Sequence, residues 1–149
     1  MVKPAPPGYE DPMLGRSFTA RRRAPDQIER VAAAALATGR LALGAGLWLA
    51  PARSLRAFGF GEASAQSAAL TRIAATRDLV LGAWQLRSLS ERGELHRATV
   101  AVAAADIGDT LVFALALGPP ETRTAGRRGL PAAAPAAALG TWLAARLRS

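Results

Sequence analysis

Six charged side chains lie inside long apolar runs of this chain. They are Arg40, Arg72, Arg77, Asp78, Asp106 and Asp109. Three are arginines and three are aspartates, so their formal charges sum to zero. Charges inside a membrane are energetically costly, face partners in the protein interior and often mark the functional centre of a bundle. The pattern therefore indicates a polar centre inside an apolar helical protein.

Five of the six charges fall near the midpoints of three apolar runs, which lie near residues 39, 77 and 108. A bundle of these helices brings the charges to one depth, within about one turn. Arg72 is more than a turn away, from where its side chain can extend toward the membrane surface. The sequence therefore predicts a candidate intramembrane polar site of five residues, namely Arg40, Arg77, Asp78, Asp106 and Asp109.

Two kinds of role fit these residue types. An arginine can grip a carboxylate with two parallel hydrogen bonds, so the layer can be an ion-pair network that fixes the helix register of a structural or accessory membrane subunit. The alternative is a small transporter or ligand-binding membrane protein, in which the same layer forms a proton site or a polar-ligand site. The charge balance favours the structural role, because each charge then has a partner within the protein.

Four apolar runs must position these charges: residues 28–50, 68–86, 98–117 and 130–147. About 20 helical residues cross the hydrocarbon core of a bilayer. A soluble amphipathic helix carries charge on nearly every turn, whereas residues 41–50 and 111–118 carry none. We therefore favour a membrane protein over a soluble helical bundle. The predicted fold is all-α, with a flexible Pro/Arg-rich tail at residues 1–24 and a four-helix transmembrane bundle at residues 25–149.

The net charge of +8 raises the question of nucleic acid binding. The arginines flank the apolar runs, as in membrane proteins, so we expect no nucleic acid partner. The expected partners are the lipid bilayer, anionic head groups near Arg21, Arg22 and Arg23, and a second copy or a larger membrane complex. With no cysteine and one histidine, His96, in a predicted loop, we expect no metal and no cofactor. No catalytic motif is found, so an enzyme is the less favoured class.

Short motifs carry a resemblance to a known group. Gly39-Arg40-Leu41 begins a segment that continues to Pro51, and Arg77-Asp78-Leu79-Val80-Leu81-Gly82 precedes a run with paired aspartates. These segments resemble small uncharacterised four-helix membrane proteins of bacteria, including actinobacteria, and the chain is similar to DoxX-like proteins in size and layout. The resemblance covers residues 28–147. It implies a four-helix membrane fold in the bacterial cell membrane and no particular chemistry.

The distribution of basic residues predicts the orientation. Eleven Lys and Arg residues fall on the side of residues 1–30, 87–97 and the C-terminal end, against five on the opposite side. Because the more basic side is cytoplasmic in most membrane proteins, we expect both termini in the cytoplasm. Reporter fusions at Ser149 and within residues 121–129 should report opposite sides. Signals from the same side would mean that the second or fourth run does not cross.

Overall fold

Four long helices and one short helix make up residues 24–149, which are the residues that the computed structural model describes. The helices are α1 (Gln27–Leu49), α2 (Pro51–Phe58), α3 (Ala65–Arg87), α4 (Arg92–Leu115) and α5 (Arg123–Arg148). Because no strand occurs in this range, the predicted all-α class is confirmed for it. The predicted tail, apart from Ala24, and the three consecutive arginines lie outside the described residues.

The start and the end of α1 follow from local sequence. The Asp26 side chain accepts a hydrogen bond of 2.8 Å from the Glu29 backbone N–H, and the Glu29 side chain accepts one of 2.8 Å from the Asp26 N–H. This capping box satisfies two backbone donors that a helix start leaves unpaired. The Glu29 N–H and the Arg146 side chain hold the pKa of the Asp26 carboxyl below its ordinary value. At the other end, Pro51 opens α2.

Two connections predicted from the polar sequence are wrong, because α4 and α5 start earlier than expected. Residues 92–97, including His96, belong to α4. Leu95 is completely buried there, which stabilises the added turn. Residues 123–129, expected as a loop, belong to α5. The Arg123 guanidinium there donates to the carbonyls of Leu117 and Gly118, in the turn that follows α4.

The helices pack mainly as two pairs, α1 with α3 and α4 with α5. Glycines allow the close approach of α1 and α3. A Cβ atom at Gly44 would lie 3.1 Å from the Ala75 carbonyl oxygen, and one at Gly82 would lie 3.0 Å from the Ala37 carbonyl oxygen. The two glycines occupy equivalent places in the similar segments 41–45 and 79–83, so each segment packs its glycine against the other helix.

A buried carboxylate joins the two helix pairs at the end where α1 begins. Glu29, only 1% exposed, accepts a hydrogen bond of 2.6 Å from Arg92 on α4 and lies 3.6 Å from Arg146 on α5. The neighbouring apolar core is formed by Ala33, Leu95, Leu143 and Leu147. Ion pairs and apolar packing therefore fix α1, α4 and α5 together at this end.

Many large apolar side chains lie on the outside of the molecule. Sixteen of them are exposed by a third or more of their surface, whereas the buried apolar core contains seven alanines and only four larger side chains. By length and composition α1 and α4 are apolar enough to cross a membrane, and only 22% and 28% of their apolar windows are buried. Within residues 24–149 these two helices alone meet that test, so four membrane crossings remain a prediction.

Glu29→Gln should lower the free energy of unfolding by about 1–3 kcal/mol, because it removes the charge that pairs with Arg92 and Arg146. Thermal unfolding in detergent micelles measures the effect. Glu62→Gln is the matched control, since Glu62 is exposed and should tolerate the same change. Equal unfolding midpoints for the two variants would show that the Glu29 ion pairs contribute nothing to stability.

Candidate functional site

Arg40 lies between two aspartates in the interior of the helix assembly. Its Nη1 donates a hydrogen bond of 2.6 Å to Asp78 Oδ1 on α3, and its Nη2 donates to Asp106 Oδ1 on α4. All three residues are less than 10% exposed. One guanidinium on α1 therefore binds carboxylates from two other helices, and the second of them belongs to the other helix pair.

Arg77 extends this network to the fifth predicted residue. Its guanidinium binds the Asp109 carboxylate through two hydrogen bonds, of 3.1 Å from Nη1 and 2.7 Å from Nη2. The same Nη2 lies 3.1 Å from Asp78 Oδ1. The Arg77 and Asp109 side chains are 40% and 34% exposed. The structure thus brings all five predicted site residues into one chain of alternating charge, in the order Asp106, Arg40, Asp78, Arg77 and Asp109.

The sixth charge in the apolar runs, Arg72, stands apart from this charged layer. Its side chain is exposed, and its Nε donates a hydrogen bond of 3.3 Å to the Trp48 carbonyl oxygen. The apolar runs contain three arginines and three aspartates, but only two of those arginines belong to the charged layer. With every group ionised, two guanidiniums face three carboxylates, which leaves one negative charge in excess.

A cavity of about 370 Å³ lies beside the charged layer, a volume within the range of small-molecule sites. Four of the five charged residues, all but Arg77, line it together with residues of α1 and α5. The wall on α5 consists mainly of small residues, namely Gly129, Ala132, Ala133 and Ala136. The cavity therefore occupies the space that small side chains leave between the two helix pairs.

Two aromatic side chains line the end of the cavity where α2 meets α5. The rings of Phe58 and Phe113 stack with their centroids 6.0 Å apart. Arg128 on α5 donates a hydrogen bond of 3.1 Å to the Ala57 carbonyl oxygen, which fixes the end of α2 there. Gly129 leaves room for the aromatic pair, because a Cβ atom at this position would collide with the Phe113 ring.

One fully buried carboxylate oxygen in the charged layer has no partner. Among the described residues, two buried side-chain polar atoms make no hydrogen bond, Gln85 Oε1 and Asp106 Oδ2. Gln85 still donates to the Thr99 hydroxyl and does not line the cavity, whereas Asp106 does line it. An unsatisfied buried acceptor costs about 1–3 kcal/mol, and more when it is charged. Asp106 therefore brings a buried, unpaired acceptor to the wall of the cavity.

The charged layer is predictable from the sequence, whereas the cavity and its aromatic end are not. The alanine-rich composition of residues 130–147 was the available signal, since small side chains fill little space. That signal equally suits close packing against a neighbouring helix or subunit, so it does not locate a cavity. Within the described range, no cluster of histidine and acidic side chains is arranged to hold a metal ion.

Comparison of the chain with protein-family models, with curated proteins and with solved structures finds no match. Nothing in these comparisons bears on the resemblance to DoxX-like proteins. Functional conclusions therefore depend on the geometry of the charged layer and the cavity.

Arg40→Ala should destabilise the protein by about 3–5 kcal/mol, because Asp78 and Asp106 would keep buried charges without their shared cation. Arg72→Ala is the matched control, since it removes an exposed arginine from a nearby depth. Unfolding by denaturing detergent at constant temperature measures both variants. Equal loss of stability in the two would contradict the central place of Arg40.

Proposed function

We propose that the protein is a small multi-pass membrane protein that binds a mainly apolar small molecule with a polar head, in the cavity beside the charged layer. The single observation that carries the binding role is the unpaired Asp106 oxygen on a residue that lines an apolar cavity. A purely structural layer would be dry and fully paired. This layer lies beside a cavity and has a buried acceptor without a partner.

Support for the membrane comes from the inverted distribution of large apolar side chains. On α3, a helix with several charges, Leu70, Ile73 and Val80 are each more than 60% exposed. Such exposure is unfavourable in water and favourable in lipid. In the proposed arrangement all four long helices cross the bacterial cell membrane, α2 lies at its surface, and both termini face the cytoplasm. Exposed apolar faces also leave room for a homo-oligomer or a larger complex.

A structural or accessory role is the second candidate. It is favoured by the ion pairs Arg40–Asp106 and Arg77–Asp109, which join the two helix pairs at mid-depth. Such contacts between transmembrane helices are modest, at about 0.6–2 kcal/mol each. If the layer is structural, replacing both members of one ion pair by neutral residues should recover the stability that a single replacement loses, and no other property should change. A binding layer predicts a folded double variant that has lost its ligand.

Ligand binding can be tested by filling the cavity. Ala133→Phe places a ring in the cavity, whereas Ala138→Phe adds the same ring to an exposed position on the same helix. The probes are naphthalenes with a hydroxymethyl or an aminomethyl group, and the readout is fluorescence anisotropy in nanodiscs of phosphatidylcholine. We expect saturable binding to the wild type and to Ala138→Phe, and none to Ala133→Phe. Equal signals from all three proteins would show partition into lipid and contradict the proposal.

The membrane location has its own test, which is independent of any ligand. The protein should stay in the membrane pellet after washing with alkaline carbonate, because its exposed apolar surface needs lipid. Recovery of a monodisperse protein without detergent would overturn the membrane assignment and favour a soluble helical bundle.

A further inference from the structure

We propose that the cavity selects a ligand whose head carries one positive charge, such as a protonated amine on a small apolar body. This inference rests on the proposed function and adds the chemical class of the ligand. The observation behind it is that the charged layer, which has one carboxylate more than it has guanidiniums, forms part of the wall of an apolar cavity.

The excess negative charge of the layer follows from which side chains pair with each other. It does not follow from composition, because the apolar runs contain three arginines and three aspartates. Asp106 and Asp78 share the Arg40 guanidinium, and Asp109 is held by Arg77. Arg72 cannot complete the balance, because its side chain is directed to the Trp48 carbonyl oxygen. A buried charge without a counter-charge is costly in a low-dielectric environment. One cation in the cavity would bring the layer to neutrality.

The fully buried acceptor without a partner in the layer is Oδ2 of Asp106. Both carboxylate oxygens of Asp109 already accept hydrogen bonds from Arg77. Asp106 uses only Oδ1, in its bond to Arg40, and Oδ2 is left without a donor. A protonated amine supplies both what the oxygen lacks, an N–H donor, and what the layer lacks, a positive charge. Hydrogen bonds between charged groups are the stronger class.

The rest of the cavity specifies an apolar body for this cation. Leu36, Leu43, Leu139 and the small α5 residues form its walls, and Phe58 and Phe113 line one end. These side chains offer no oxygen ligands, and the Asp78 and Asp109 carboxylates are already paired with arginines. A bare metal ion requires several oxygen ligands. Aromatic rings also attract cations. A compact ammonium with an apolar group matches the walls and the acceptor together.

The test uses three probes that share one body and differ in charge: 1-naphthylmethylamine, 1-naphthalenemethanol and 1-naphthoic acid. They are titrated at pH 7 into wild-type protein in phosphatidylcholine nanodiscs, and the signal from Ala133→Phe is subtracted as lipid partition. We expect the amine to bind on the order of tenfold to a hundredfold more tightly than the alcohol, as a charge-assisted hydrogen bond implies. The naphthoate should show no saturable binding.

Asp106→Asn should remove the preference for the amine. The amide can still accept a hydrogen bond from Arg40, while the layer becomes neutral with two arginines and two aspartates. Asp26→Asn is the matched control, because it makes the same change at an exposed ion pair at the start of α1. We expect that control to keep the wild-type preference. If Asp106→Asn does not fold, the order of the three probes on the wild type still decides the inference.

The possible failures are distinguishable. Equal affinity for amine and alcohol, with both lost in Ala133→Phe, would leave the cavity as a binding site and overturn the cationic head; a proton on Asp106 would then account for the charge. Preferred binding of the naphthoate would overturn the inference in the same way. No saturable binding of any probe would overturn the proposed function, and the inference would fall with it.

Discussion

The burial of Arg40 constrains the arrangement of the long helices. A guanidinium in an apolar interior requires acceptors from its neighbours, and here they come from Asp78 on α3 and Asp106 on α4. These contacts couple the registers of three helices at one depth. The close packing at Gly44 and Gly82 makes the coupling possible, because it brings α1 and α3 near enough for the ion pair to form.

Small residues allow close packing in one part of the molecule and leave a cavity in another. Where glycines face a neighbouring backbone, as between α1 and α3, two helices approach and no space remains. Between α1 and α5, alanines and a glycine face side chains across the join of the two helix pairs, and the gap stays open. The two helix pairs are connected at one end by the ion pair of Glu29 with Arg92. At the other end, Arg128 of α5 donates a hydrogen bond to the end of α2. The cavity lies between these two attachments.

The helical class and the depth of the charged residues follow from sequence, because helix rise fixes depth and the apolar runs fix the helices. Helix rise also separates Arg72 from the layer, as predicted. It does not say on which side of a helix each partner lies, so the sharing of Arg40 by two aspartates could not be predicted. Contacts outside the helix pattern also set the starts of α4 and α5. The burial of Leu95 and the hydrogen bonds from Arg123 to the turn after α4 extend these helices into polar sequence. The contact of Phe58 with Phe113 depends on α2 and had no sequence signal.

The presence of an aspartate at position 106, where an asparagine would also fit, favours a binding role for the layer over a purely structural one. A structural layer needs an acceptor for Arg40 Nη2, and an asparagine supplies one without a third negative charge. Asp78 already neutralises Arg40, and Asp109 already neutralises Arg77. An aspartate at position 106 therefore adds a charge and an unpaired oxygen, both of which cost free energy in an apolar interior. A cation in the adjacent cavity, or a proton on the carboxylate, would offset this cost, and helix packing alone does not.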